Sequence, residues 1–144
     1  MKNLTVQRIL EVTKGNLLKG DKNLICENFS KDTRIIKKGD IYIGIKGEKF
    51  NGSSFWKQAL EKGAEGVIVS DIEISKEEIK QYENKTIIKV DDTLKALYEI
   101  AKAKRDLYNI PVIAITGSVG KTSTKDIVAS VVSQKYKTLK TMRK

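Results

Sequence analysis

Three short apolar runs constrain this chain most. They are Ile41-Tyr42-Ile43-Gly44-Ile45, Gly66-Val67-Ile68-Val69-Ser70 and Lys85-Thr86-Ile87-Ile88-Lys89-Val90. Each is rich in β-branched residues and bounded by glycine or charged turns. The first two are apolar at consecutive positions, which suits strands covered on both faces, as in a parallel sheet. Parallel neighbours need a crossover, usually a helix. The stretch between the first two runs supplies one. Ser53 or Ser54 can cap a helix that continues to about Lys62 and stops at Gly63. Phe55, Ala59 and Leu60 form its expected inward face, with Trp56 at the edge. The expected fold class is therefore α/β, with a right-handed βαβ unit at its centre.

The other segments fit around this unit. Thr5 to Thr13 reads as a short helix with Val6, Ile9 and Leu10 on one face and Gly15 as a stop. Leu17 to Asn28 is mixed in character and reads as structural filler. Asp71 to Asn84 is charged, with Ile72, Ile74 and Ile79 as anchors, and reads as a surface excursion holding a short helix. Asp91 and Asp92 open a long helix to about Tyr108, with Leu94, Leu97, Tyr98 and Ala101 at helical spacing. Asn109 and Pro111 end it. The expected division is a first domain over 1–91, a connecting helix over 92–110 and a second unit over 111–144.

Lys46-Gly47-Glu48-Lys49-Phe50-Asn51-Gly52 is a polar, glycine-rich loop directly after the first apolar run. Ligands in α/β sheets tend to sit at the carboxyl ends of strands, so this loop is placed either to bind or simply to connect. Gly44, inside the run, points to a bulge or a close backbone approach.

The second unit has a sharper signal. Val112-Ile113-Ala114-Ile115 reads as a strand, Thr116-Gly117-Ser118-Val119-Gly120-Lys121-Thr122-Ser123 as a turn, and the residues after it as a helix buried through Ile127, Val128, Val131 and Val132. Gly120-Lys121-Thr122 satisfies the end of the phosphate-loop pattern, although Ile115 stands where its first glycine would fall. The physical requirements are met all the same. Successive N–H groups from Gly117 to Thr122 can ring an anion, and the helix start favours negative charge. Lys121 can reach terminal phosphates, and the Thr122 hydroxyl can join a magnesium ion.

Composition narrows the chemistry. The chain has no histidine and one cysteine, Cys26. Imidazole catalysis and an intrachain disulfide are excluded, and a zinc site is disfavoured. The net charge of +10 favours anionic partners, but the basic residues are mostly scattered lysines. Solvated surface lysine, phosphorylated small ligands and nucleic acid all remain readings of that charge, with no Arg-rich, aromatic-studded cluster to favour nucleic acid. No apolar run approaches the ~20 residues of a membrane span, and the start of the chain has no apolar leader core. A cytoplasmic protein is expected.

Thr116-Gly117-Ser118-Val119-Gly120-Lys121-Thr122 resembles the ATP loop of the Mur ligases, T-G-x-x-G-K-[ST], which lacks the first glycine of the general pattern. Asp32-Thr33-Arg34, Gly39-Asp40-Ile41-Tyr42, Lys46-Gly47 and Asn51-Gly52 resemble that family's D-S-R, G-D-[LI]-F, x-G and D-G series. Thr33 stands for the usual serine, Asn51 for aspartate, and Ser53 where histidine is frequent. Two branches of the family share this series: ligases that add the third residue of the stem peptide, and ligases that add D-alanyl-D-alanine. Gly117-Ser118, Thr124-Lys125-Asp126 and Lys137-Thr138-Leu139-Lys140-Thr141 look more like the second.

The resemblance implies a UDP-substrate domain of the type these two branches share, followed by the first strand, phosphate loop and helix of a central ATPase domain. It implies ATP and Mg2+ as cofactors, with UDP-N-acetylmuramoyl-peptide and D-alanyl-D-alanine as substrates. Gly117, Ser118, Val119, Gly120, Lys121, Thr122 and Ser123 would hold ATP, with Lys121 catalytic and Thr122 on the metal. Thr33, Arg34, Lys46, Gly47, Asn51 and Gly52 would face the UDP-sugar. Family elements expected after the phosphate loop are missing, so this piece alone is expected to lack ligase activity. Its half-built second unit is expected to expose Ile113, Ile115, Val128 and Val132, and to self-associate or stay disordered. A stand-alone nucleotide-binding module without catalysis is the alternative from a different class.

Overall fold

A computed structural model describes residues 3–142. Met1, Lys2, Arg143 and Lys144, at the outer ends of the two expected domains, lie outside the described residues. The described residues form two compact units that divide between Asn109 and Ile110.

In the first unit, β1 (Leu4–Thr5) runs into α1 (Val6–Thr13), whose start is capped by the Thr5 hydroxyl accepting from the Arg8 N–H. There follow β2 (Asn16–Lys19), β3 (Ile25–Cys26), β4 (Phe29–Ser30) and β5 (Ile41–Ile43). A 3-10 turn over Gly52–Phe55 leads into α2 (Trp56–Glu61), then β6 (Gly66–Val69), α3 (Lys76–Lys80), β7 (Thr86–Lys89) and α4 (Thr93–Asp106). The main sheet has the order β2-β7-β6-β5-β4. The pairs β4 with β5, β5 with β6 and β6 with β7 are parallel, and β2 closes one edge antiparallel to β7. The segment expected as filler therefore supplies an edge strand, and β3 pairs with β1 in a second, two-stranded sheet. Tertiary pairing recruited short strands whose own sequence is only weakly periodic.

Alternation along the central strands divides the core between two faces. Ile41, Ile43, Ile68 and Ile88 lie with Val6, Ile9, Ala96, Ile100 and Ala103 on the side of α1 and α4. Tyr42, Val67, Val69 and Ile87 lie with Trp56, Ala59 and Leu60 on the side of α2. Burying each large aliphatic side chain contributes roughly 1.5–3 kcal/mol of transfer free energy, so both faces stabilise the sheet. This is the α/β architecture with a buried parallel sheet that the three runs imply.

Two helix faces differ from expectation. Trp56 is buried and Phe55 is 43% exposed, the reverse of the expected arrangement. The 3-10 turn offsets the helix start, so Trp56 faces the sheet and Phe55 packs edge-on against Phe50, also exposed. On α4, Leu94 and Tyr98 are exposed, while Thr93, Ala96, Ile100 and Ala103 face inward. The inner face of α4 packs against α1 and the sheet, with Ile100 in the core and Ala96 and Ala103 beside it. The helix expected as a connector thus contributes to the core of the first unit.

The second unit contains α5 (Lys121–Val132). The expected strand over 112–115 is not formed among the described residues, and Val112 and Ile113 are exposed. A parallel strand needs hydrogen-bonded neighbours, and this unit supplies none. Nor is the following helix buried as expected: Ile127 and Val131 are exposed, and Val128 and Val132 only half-buried.

Candidate functional site

The loop after β5 is tied into a closed structure. Lys46 and Asn51 form an isolated antiparallel bridge; the Gly47 N–H donates to the Phe50 carbonyl at 2.9 Å and the Gly52 N–H to the Ile45 carbonyl at 2.9 Å. Gly44 and Gly52 allow this fold-back. A Cβ on Gly44 would stand 2.5 Å from the Ser53 Cα, and one on Gly52 2.5 Å from the Ile45 oxygen. The close approach signalled by a glycine inside an apolar run is real.

Of the expected substrate-facing residues, the structure brings together Lys46, Gly47, Asn51 and Gly52. The Lys46 ammonium pairs with Asp71, just past the end of β6, at 2.7 Å. That hydrogen bond and charge raise the Lys46 pKa. The Asn51 carbonyl oxygen accepts from the Ser53 N–H at 3.0 Å, while its amide nitrogen donates to the Ser70 and Asp71 carbonyls at 3.3 and 3.4 Å. Asp71, Ile72 and Glu73 after β6, with Lys89, Val90 and Asp91 around the end of β7, line a cleft of about 320 Å3. Loop and cleft therefore lie at the carboxyl ends of parallel strands, where α/β sheets usually take ligands.

Thr33 and Arg34 are held on a different loop, after β4. The Thr33 hydroxyl donates to the Gln58 side chain on α2 at 3.0 Å. Arg34 forks onto Asp32, with Nε to Oδ1 at 2.9 Å and Nη2 to Oδ2 at 2.6 Å. The guanidinium and the Arg34 backbone N–H hold the Asp32 carboxyl down at about 2. Tyr42, Ser53, Ser70 and Asp71 also shape this region. The sequence marks Tyr42 only within the Gly39-Asp40-Ile41-Tyr42 series and Ser53 only as a helix cap or family position; their hydrogen-bond partners Gly52, Gly44 and Ser70 are set by the fold.

In the second unit, Gly120 caps α5 from the left-handed region at φ +78°, and no side chain caps the helix start. Its first N–H groups are thus open to an anion. A Cβ on Gly120 would meet nothing within 4 Å, so conformation, not space, calls for glycine there. Lys121 and Thr122 begin the helix. Together with Lys125, Ile113, Ala114 and Ile115 they line an open cleft of about 710 Å3. The Lys121 ammonium folds back on the Gly117 carbonyl, and Lys125 donates to the Thr141 carbonyl at 2.7 Å. Gly117, Ser118 and Val119 complete the turn and Ser123 lies in the first turn of α5; all four are exposed.

Two ammonium groups, hydroxyls and uncapped N–H groups form a donor set that fits a polyphosphate. For a divalent cation the fit is narrower. The described residues contain no group of three or more His, Cys, Asp or Glu able to hold a metal. The Thr122 hydroxyl could serve only as one ligand beside phosphate oxygens and water.

Known proteins are similar to this chain in sequence and fold. A UDP-N-acetylmuramoyl-tripeptide--D-alanyl-D-alanine ligase of Bacillus subtilis (strain 168) is 37% identical over 138 residues, covering 95% of this chain and 29% of that protein. A crystal structure of MurF from Acinetobacter baumannii superposes with a TM-score of 0.76 at 27% identity, over 94% of this chain and 28% of that one. A structure of MurF ligase from Thermotoga maritima in complex with ADP superposes with a TM-score of 0.64 at 27% identity, over 80% of this chain and 25% of that one. The chain thus spans between a quarter and a third of the length of these relatives. Residues 28–105, more than half of the chain and all within the first unit, match the model of the Mur ligase family, catalytic domain; the chain belongs to the Mur ligase family.

Proposed function

We propose that this chain is the amino-terminal part of an ATP-dependent ligase that adds D-alanyl-D-alanine to a UDP-N-acetylmuramoyl tripeptide in peptidoglycan precursor synthesis. The observation that carries the reading is the 37% identity to a ligase of that name across 95% of the chain, both candidate loops included. Residues 1–91 with the helix after them would serve the UDP-substrate, and residues 111–144 would open the ATP-binding domain. The setting would be the cytoplasm, and among the described residues no helix is long and apolar enough to cross a membrane.

In this reading Lys46, Gly47, Asn51 and Gly52, with Thr33 and Arg34, take the UDP-sugar. The Lys46 ammonium suits a diphosphate once it exchanges Asp71 for phosphate oxygens. The phosphate loop, Gly117 to Ser123, takes ATP on its N–H groups. Magnesium would neutralise charge on the phosphate oxygens, with Thr122 as a protein ligand. The terminal carboxylate of the substrate accepts the γ-phosphoryl group, and the dipeptide amine displaces phosphate from that acyl phosphate to form the amide. Lys121 must leave the Gly117 carbonyl to stabilise charge on the transferring group, the largest contribution a residue of this chain makes. We further propose that these 144 residues bind substrate but do not ligate, and that exposed Ile127 and Val131 favour self-association.

Calorimetric titration with UDP-N-acetylmuramoyl tripeptide and with Mg-ATP, each alone, tests the reading. Saturable binding of the UDP-substrate is expected. RNA binding with neither ligand taken up would sink it, and ATP turnover with D-alanyl-D-alanine present would sink the binding-only proposal.

A further inference from the structure

The loop after β5 is strapped from beneath by two side chains that the reading above leaves without a role. The Tyr42 hydroxyl donates to the Gly52 carbonyl at 2.8 Å in a buried hydrogen bond. The Ser53 hydroxyl donates to the Gly44 carbonyl at 2.9 Å and accepts from the Ser70 N–H at 2.9 Å, also buried. Ser53 is fully buried and Tyr42 is 2% exposed. Gly44 and Gly52 are the two ends of the loop, so the straps close its neck. Ser70 follows β6, so Ser53 also ties that neck to the neighbouring strand and to the Asp71 that holds Lys46.

We infer that Tyr42 and Ser53 are positioning residues, which preset the loop over 44–52 so that Lys46, Gly47 and Asn51 meet the UDP-substrate without an ordering cost. The inference rests on the proposed function for what the loop binds, but not for what holds the loop. Neither hydroxyl can touch a ligand, because both are spent on buried carbonyls. Their contribution is conformational: a short polar loop with two glycines would otherwise sample many states, and binding would have to order it. Asn51 completes the arrangement. Its amide nitrogen faces two carbonyl oxygens, so a carboxylate there would oppose both and lose the two donated bonds. The amide form at position 51 therefore belongs to the same strapped loop.

The test uses the full chain with Tyr42→Phe, Ser53→Ala and, as a control, Ile9→Val in the core on the far face of the sheet. Two readouts are taken: amide hydrogen exchange at Gly47 and Gly52, whose N–H groups close the loop, and calorimetric affinity for UDP-N-acetylmuramoyl tripeptide. The expected result is exchange at both glycines at least about tenfold faster in Tyr42→Phe and Ser53→Ala. Affinity should fall about tenfold, with β6 and β7 protection retained, and the control should leave both readouts unchanged. Unchanged glycine exchange in both variants overturns the inference, as does faster exchange with unaltered affinity. A global loss of protection shared by the control would reduce the straps to general stability and overturn it too. If the unsubstituted chain gives no binding heat, the proposed function fails instead, and the exchange at Gly47 and Gly52 still decides whether Tyr42 and Ser53 hold the loop.

Discussion

Lys46 and Asp71 meet at 2.7 Å across the ends of two parallel strands, one just past β5 and the other just past β6. Asp71 takes a left-handed backbone conformation, φ +52°, to reach this position. Both side chains are more than half exposed, so the pair contributes only about 0–1 kcal/mol to stability. Its consequence is for binding: it holds the ammonium in place while competing with an incoming anion.

Asp71→Asn removes that competition and keeps a residue that tolerates the left-handed region. The expected outcome is a severalfold tighter Kd for the UDP-substrate in calorimetry, with a urea-melt stability within about 1 kcal/mol of the parent. Weaker binding would show that the carboxylate orients Lys46 more than it competes.

Lys121→Ala is expected to weaken Mg-ATP binding at least about tenfold, since a charge-assisted contact to phosphate contributes roughly 1.5–3 kcal/mol. Gly120→Ala should weaken it as well, because the left-handed cap at φ +78° costs an L-residue about 1–2 kcal/mol. Displacement of a fluorescent ATP analogue reads both variants. UDP-substrate affinity should stay unchanged in each.

Acid titration should expose the Asp32 and Arg34 pair. Asp32 titrates near 2 in the folded chain, against an ordinary value of 3.8, because Arg34 donates to it. A folded pKa lowered in this way stabilises the protein above the ordinary value. That contribution is lost as pH falls from about 4 towards about 2. In Arg34→Gln, the Asp32 carboxyl carbon followed by NMR should titrate higher than in the parent, while the backbone N–H of residue 34 still holds it below its ordinary value. An unmoved titration would mean that other groups hold the carboxylate.

Trp56→Ala should destabilise the chain by about 3–5 kcal/mol by emptying its place on the inner face of α2. Phe55→Ala, on an exposed ring, should stay within about 0.5 kcal/mol. Urea denaturation followed by far-UV circular dichroism compares them. The chain has one tryptophan, so blue-shifted emission that moves red on unfolding offers a separate check of Trp56 burial.

The parallel strands were legible in the chain because short unbroken runs of apolar, β-branched residues suit strands covered on both faces. Ile41, Tyr42 and Ile43 had to divide between two covered faces, and they do. Helical faces were less legible. On α4 two stripes compete: Leu94 with Tyr98, which is larger and more apolar, and Ala96 with Ile100 and Ala103, which is inside. Side-chain size marks burial poorly here, since Ala96 and Ala103 share the inner face with Ile100 while Leu94 and Tyr98 stay outside. The strand expected over 112–115 shows a related limit. Apolar, β-branched residues favour extended pairing, but pairing needs a neighbour, and none stands beside it in its own unit.

The same division runs through the candidate sites. Gly120, Lys121 and Thr122 are adjacent in the chain, and the chemistry of that loop follows from local order: a glycine in the left-handed region, a helix start, an ammonium. Lys46, Gly47, Asn51 and Gly52 were identifiable as a polar loop after a buried strand. What shapes that loop was not, because Tyr42, Ser53, Ser70 and Asp71 act across strands. Hydrogen bonds between residues 10 to 25 positions apart depend on which strands become neighbours and in what register. Sequence by itself determined the three central parallel strands and the family, and it carries the pattern of a phosphate loop. Only the tertiary structure decided which side chains are inside and which hydroxyls close the loop, because burial and partner choice are properties of packed elements rather than of residues in a row.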